Sequence, residues 1–421
     1  MSIFNGSQQC CSTDTAGSST VFTGSSSALD AFGRLRISQP YTLFDSHQHY
    51  QADQSFVSNV ANNGTITYIQ NMSACNLMCS NVLGSFAARE TKYVFTYQPG
   101  KSLLIMNSFV MAPNSDGLVQ RVGYFDSTDG IYVELSDQLY MVRRSNSLGT
   151  ITNTRVAQSA WNNDRLDGFG PSGMTIDLTK SQIFWTDIEW LGVGSVRTGF
   201  ILDGRYIICH IFNHANFLKY PYMTSAIGPV RYEITNTTGT APASNLMQIC
   251  STVISEGGYD QQFSLHSNIA YFSQSMTLGV WYPLMSIRMA PGYLDGVVQM
   301  RQVELVVTTS DTVQWALWSN VTSANLGSPV FGPHISSSTI QFNANATTFT
   351  TTTCRQFASG IASGTNQAAS KSSLELGRYI SQIGRDSFTG TSDIITLGVT
   401  NIKPGASAVT IQALLSWNEL F

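Results

Sequence analysis

The sequence predicts an all-β protein, an extended N-terminal arm followed by two β-sandwich or jelly-roll domains. Three observations carry that expectation. Short β-rich runs are separated by turn residues along most of the chain, helical periodicity is thin, and the first 28 residues are small and polar. With 421 residues and 43% hydrophobic content the chain can fill more than one core.

The arm comes first. Residues 1–28 carry too little apolar surface to offset the entropy of ordering, so they are expected to order on docking. The following FGRLRISQPYTLFDSHQHY (32–50) has turn signals, aromatics and charges but no helical stripe. Pro40 fixes its own φ and biases Gln39 toward extended geometry. Phe32, Leu35, Ile37, Leu43 and Phe44 are too apolar to leave in water, so they are expected to anchor an interface, with Arg34 and Arg36 setting its register. The arm is assigned to residues 1–45.

A first sandwich is assigned to residues 46–285. Its clearest part is VQRVGYFD, STDG, IYVEL, SDQ, LYMVRRS (119–145), a meander of three strands. Next comes VRTGFIL, Asp203-Gly204, RYIICHIF (196–212), where Asp-Gly supplies the positive φ values of a type I′ turn. In that register Arg197 faces His210. MTIDLTKSQIFW (174–185) reads as a turn and then a strand.

A connector rich in Pro and Gly, GVWYPLMSIRMAPGYLDG (279–296), sets a boundary between 280 and 295. The second sandwich is assigned to 286–421. Its strand-like runs are VELVVTT, VQWALWSN, FTTTTC, DIITLGVT and AVTIQALLSWNEL, and 335–375 is open to being long exposed loops. No fixed-period repeat points to a β-helix fibre.

Composition restricts function. Charged residues make up 11%, well below an average soluble domain, so the surface is largely Ser, Thr, Asn and Gln, as suits a subunit whose surface is taken up by neighbours. With 22 basic and 26 acidic residues and no basic run, nucleic-acid binding is not expected. The start lacks a secretory signal, and no apolar run reaches 18 residues, so neither export by the general route nor membrane insertion is expected. Seven cysteines do not close a disulfide framework, and most read as small buried side chains. Cys10 and Cys11 leave a disulfide between subunits open.

The strongest candidate for chemistry is IFWTDIEWLG (183–192). Alternation on a strand places Trp185, Asp187 and Glu189 on one face and Phe184, Ile188 and Trp190 on the other. Two acids beside an aromatic suit a sugar. His210 and His214 invite a metal reading with Cys209 or with His47 and His49, but on a strand the two rings need not converge. Asp126 and Asp129 resemble part of a calcium loop that lacks the later ligands, and turn chemistry explains them. GFGPSG (168–173) has no basic residue close behind it and no helix to open, and no Gly-x-Ser-x-Gly elbow occurs. No catalytic residue, metal or cofactor is expected. Trp281, Trp315, Trp318 and Trp417 read mostly as sandwich core.

Two resemblances follow from these residues. ALDAFGRLRISQPYTLFDS (28–46), GYFDSTDGIYVEL, the block 161–204, CHIFNHAN, ICSTVISEGG and LLSWNELF resemble a family of virion structural proteins of tailed, often marine, bacteriophages. That resemblance implies a non-enzymatic structural component of the virion, assembled in the host cytoplasm, exposed on capsid or tail, with other virion proteins as partners. A homo-oligomer is expected, and a trimer is one form it implies. IFWTDIEW resembles the catalytic strand of concanavalin-like, laminarinase-type glycosidases, Glu-x-Asp-x-Glu. On that pattern Asp187 takes the assisting position, Glu189 the acid/base position, and Trp185 stands where the nucleophile belongs. A host-glycan-binding adhesin, or beyond it a polysaccharide depolymerase, stays open as the alternative.

Overall fold

The structure is a computed structural model that describes residues 12–13, 20–21, 38–259, 264–336, 338–365, 368–375, 382–403 and 408–420. The all-β expectation holds: strands dominate, and the helices among the described residues are three-residue 3-10 turns.

Two sheets form the first sandwich. One has seven strands in the order Thr152–Ala157, Leu139–Ser145, Gly130–Leu135, Leu118–Phe125, Val230–Asn236, Phe86–Thr91, Phe56–Ala61. Its second, third and fourth strands are the predicted meander, and Thr152–Ala157 adds a strand at its edge. The other runs Arg205–Phe212, Val196–Leu202, Gln182–Ile188, Leu103–Val110, Ser244–Ser255, Ala74–Cys79, Thr65–Ile69, with Tyr41–Asp45 also paired to Ser244–Ser255. Alternation along Leu103–Val110 buries every second residue, and Leu103, Ile105 and Phe109 meet Val122, Ile131, Val133 and Tyr232 between the sheets.

That pairing corrects the arm. Phe44 lies opposite Val253 and is buried against Phe56 and Phe95, with ring centroids 5.9 and 5.1 Å away, while Leu43 packs against the same core. Phe44 belongs to its own sandwich and is not available as an interface anchor, whereas Leu43 is only partly covered there. Phe32, Arg34, Leu35, Arg36 and Ile37, like Cys10 and Cys11, lie outside the described residues.

The second sandwich starts earlier than the sequence suggests. Ser264–Gln274 already pairs along its whole length with Val409–Leu420, and Trp281–Met289 pairs with Ile394–Asn401. The change of unit therefore falls between Ser255 and Ser264, and a boundary at 285 cuts through a strand. Pro283 reads as a breaker in the sequence, but a register shift between Pro283 and Met285 absorbs it inside the strand. The sheets are Ser264–Gln274, Val409–Leu420, Val297–Val307, Ala368–Glu375 and Arg355–Thr365, Thr312–Val321, Ile394–Asn401, Trp281–Met289, Ile340–Asn343, Gly332–Pro333. They join where Arg355–Thr365 turns into Ala368–Glu375. At that crossing a Cβ on Gly364 would stand 2.2 Å from the Thr309 carbonyl oxygen, so only glycine fits. Much of 335–375 is therefore strand, whereas FTTTTC lies before the strand that begins at Arg355. Trp315 and Trp417 are core, and Trp281 packs edge-on against the buried Trp318.

A line of alternating charge crosses the seven-stranded sheet and ends in the second unit. It runs Asp137, Arg155, Glu134, Arg121, Glu233, Arg231, Glu90, Arg385, Asp295, each within 3.5 Å of the next. Arg121 stands directly opposite Glu134 on one neighbouring strand and Glu233 on the other, and Arg231 opposite Glu90. The Arg155 guanidinium lies 3.9 Å over the Tyr140 ring and so spans the strand between. Glu90 is fully buried and Arg385 almost so, at the junction of the two units. Replacing Arg385 by Ala leaves the buried Glu90 carboxylate with Arg231 as its one remaining charge partner among the described residues. A loss of about 3–5 kcal/mol in urea denaturation is expected, with Arg385→Lys recovering only part of it.

Candidate functional site

The strand Gln182–Ile188 delivers the candidate acids to the outer face of the eight-stranded sheet. Phe184 and Ile188 point into the core, as the alternation predicts, and Trp185 and Asp187 point the other way. Glu189 falls just past the end of the strand, in the loop 189–195.

Trp185 is on the expected face but is not open to a ligand. Its indole N–H donates to the Phe200 carbonyl at 3.3 Å, and Tyr206 meets its ring edge-on with centroids 5.6 Å apart. Tyr206, half exposed, is the aromatic that solvent reaches, and the sequence did not single it out.

Asp187 is buried and ion-paired through Oδ2 with Arg197, its direct cross-strand neighbour. Its Oδ1 is buried without a hydrogen-bond partner among the described residues. The sequence register placed Arg197 against His210, and this is corrected by one residue: Thr198 faces His210 and Arg197 faces Ile211. The Asp203-Gly204 turn forms as predicted, with φ of 50° and 73°. Beyond it a bulge opposite Gly199 leaves Cys209 unpaired and shifts the rest of the ladder. Gly199 permits this, because a Cβ there would lie 1.9 Å from the Ile207 carbonyl oxygen.

The loop carrying Glu189 is held from below. Glu189 Oε2 accepts the Ser195 N–H at 3.1 Å, and its carbonyl accepts the Tyr222 hydroxyl at 3.1 Å. His214 Nδ1 donates to the Gly194 carbonyl at 2.6 Å, and the imidazole stacks on Tyr222 with centroids 3.9 Å apart. His214 therefore buttresses the loop. His210 accepts the Asn162 N–H at 3.3 Å and packs edge-on against Phe212. The two rings do not converge on a metal, and among the described residues no cluster of His, Cys, Asp and Glu is arranged to hold one. Burial lowers both histidines to about 4, with the Arg143 charge adding to the effect at His214.

Asp187, Glu189 and Arg197 line a hollow of about 360 Å³ with Lys101, Ser102, Tyr97, Leu191 and Ser195. Two cations and two anions share this wall with hydroxyl groups, a composition suited to hydroxyl-rich ligands of little net charge. Of these, the cross-strand partner Arg197 was open to sequence reasoning, but Lys101 arrives from a distant strand end. The other motifs are structural: Asp126 Oδ1 accepts the N–H groups of Thr128 and Asp129 in a turn, and Asp164 accepts the N–H groups of Leu166 and Ser172 beneath GFGPSG.

No protein-family model matches the sequence, and no curated protein is similar to it. Among solved structures, the chain is similar at low identity to several proteins. A Bacillus licheniformis β-glucanase is 10% identical, with 52% of this chain covering 99% of that one at a TM-score of 0.33. Peanut lectin is 10% identical, with 52% covering 98% at a TM-score of 0.32. The CBM2 module of the evolved Dit of Lactobacillus casei BL23 phage J-1 is 7% identical, with 53% covering 100% at a TM-score of 0.36. Scores of this size carry no argument about activity, and the β-sandwich assignment stands on the sheets themselves.

Two outcomes follow from the geometry. Arg197→Ala leaves the buried Asp187 carboxylate unpaired, and a loss of about 2 kcal/mol is expected in chemical denaturation, relieved by a second change, Asp187→Asn. The fold favours neutral His210 and His214, whose pKa values lie below the ordinary 6.5. Their contribution is complete above pH 6.5 and lost as pH falls toward about 4. Thermal melts between pH 7 and pH 4 should show that decline, flattened in the double variant His210→Gln, His214→Gln.

Proposed function

We infer that this chain is a non-enzymatic structural subunit of a tailed-phage virion, exposed on capsid or tail and attached through the residues before Ser38. The observation that carries the non-enzymatic part is the acid-bearing strand. A retaining glycosidase needs two carboxyl groups about 5–5.5 Å apart in separate roles. Here Trp185 stands at the position of the attacking group, and Asp187 is engaged by Arg197. The virion part rests on the sequence blocks from ALDAFGRLRISQPYTLFDS to LLSWNELF, which resemble such proteins along nearly the whole chain. Low charge content supports a surface meant for neighbours.

A second reading, binding of a host surface glycan, is favoured by one specific feature. Exposed Tyr206 stands over Trp185 on the sheet face that also bears Asp187 and Arg197. Aromatic and polar groups side by side suit a sugar ring.

Particle assembly with a chain lacking residues 1–37 tests the first reading. The truncated chain is expected to fold and to be missing from purified particles, and normal incorporation would reject attachment through that segment. Release of reducing sugar from host polysaccharide by the intact chain would reject the non-enzymatic part. On a glycan array, Tyr206→Ala should abolish any signal that belongs to the candidate face.

A further inference from the structure

The strand Ser264–Gln274 is the outermost strand of its sheet, with Val409–Leu420 as its sole neighbour in that sheet among the described residues. A strand edge presents unpaired N–H and C=O groups, and proteins blunt such edges with brevity, charge, proline or bulges. The other sheet edges use these devices. Thr152–Ala157 carries Arg155, Arg205–Phe212 carries Arg205 and a bulge, Phe56–Ala61 and Thr65–Ile69 are six and five residues long, and Gly332–Pro333 is two residues with a proline. Ser264–Gln274 uses none. It is eleven residues long, contains no Lys, Arg, Asp, Glu or Pro, and pairs with Val409–Leu420 without a register shift. Its outer face exposes Leu265 (70%), Ile269 (48%) and Tyr271 (73%).

We propose that this edge pairs with the same strand of a second copy of the chain, antiparallel about a two-fold axis near Ile269. The proposal goes beyond the virion reading and stands whether or not that reading does. A two-fold perpendicular to the sheet keeps the outer faces of both copies continuous and sets Ile269 opposite Ile269, with Leu265 opposite Ser273 and Ser267 opposite Tyr271. On the outer face away from the axis the large side chains then meet small ones, and no like charges face each other, because the strand has no Lys, Arg, Asp or Glu and His266 falls opposite Phe272. Two four-stranded sheets become one of eight. The Ile269 N–H now takes the side chain of its own neighbour, Asn268 Oδ1 at 2.8 Å, an acceptor that a paired strand supersedes. The N-terminal arm fits this edge less well. It would bring Arg34 and Arg36 beside a strand with no carboxylate to receive them.

Light scattering and sedimentation of the full chain across a concentration series test the pairing. A concentration-dependent dimer is expected. Ile269→Lys, which places two cations on the axis, should weaken it at least tenfold while the melting temperature stays within a few degrees, and Val60→Lys on another edge should leave it unchanged. Ile269→Cys should form a reducible dimer cross-linked through position 269, mapped by peptide analysis and so distinct from any link through Cys10 or Cys11, and this second variant decides the matter if the lysine disturbs the fold. A chain that is monomeric at every concentration, a dimer indifferent to Ile269→Lys, or no cross-link through Ile269→Cys would overturn the proposal. So would a dimer that appears only after residues 1–37 are removed, since the arm would then be the occupant of the edge.

Discussion

The line of charge from Asp137 to Asp295 constrains the molecule more than any other feature. Its central members Glu134, Glu233, Glu90 and Arg385 are almost wholly removed from water, and a charge is tolerated there only with partners on both sides. Each link is met by the next. Burial acts to raise the Glu233 pKa, yet Arg231 and Arg121 outweigh it and hold the carboxyl below its ordinary value. At Glu90 burial prevails over Arg385 and Arg231 and the pKa rises. The exposed carboxylates Asp137 and Asp295 close the two ends.

This arrangement also fixes register. A slip of one residue in Val230–Asn236 would turn Arg231 and Glu233 toward the apolar core and Tyr232 away from it, moving three side chains to the wrong face at once. Hydrophobic alternation alone gives a graded penalty for such a slip. Unpaired buried charges make it prohibitive. Because Arg385 comes from the second unit, the same requirement ties the two sandwiches together. Four of the chain's 22 basic residues serve this line, which leaves few for the remaining surface.

Local chemistry in the sequence was legible, and long-range pairing was not. The meander from Leu118 to Ser145 and the Asp203-Gly204 turn announce themselves through turn residues between alternating runs, and both form. Errors arose where a local signal meets a distant partner. Pro283 marks a break in a lone strand, but a bulge against Ile394–Asn401 accommodates it. Phe44 reads as an unsatisfied apolar side chain because its cover, Val253 with Phe56 and Phe95, is spread along the chain. At the candidate site, the alternation of Phe184, Trp185, Asp187 and Ile188 gave the faces correctly. The bulge at Cys209, which a close approach of Gly199 allows, was invisible to pattern and moved Arg197 off His210.

The Asp187–Arg197 pair shows how such a shift alters the chemistry that can be argued. Free and facing solvent, Asp187 would be a carboxylate available to assist at a sugar carbon. Opposite Arg197 it is held in an ion pair while its second oxygen stays buried, so it is fixed in place and its charge is neutralised at close range. A group so engaged orients and supports its surroundings. Glu189 is likewise tied to the Ser195 N–H in a loop that His214 and Tyr222 hold from beneath. Both acids thus hold the wall of the hollow in place, because each oxygen that is engaged by Arg197 or by the Ser195 N–H restricts the strand end and the loop that carry them.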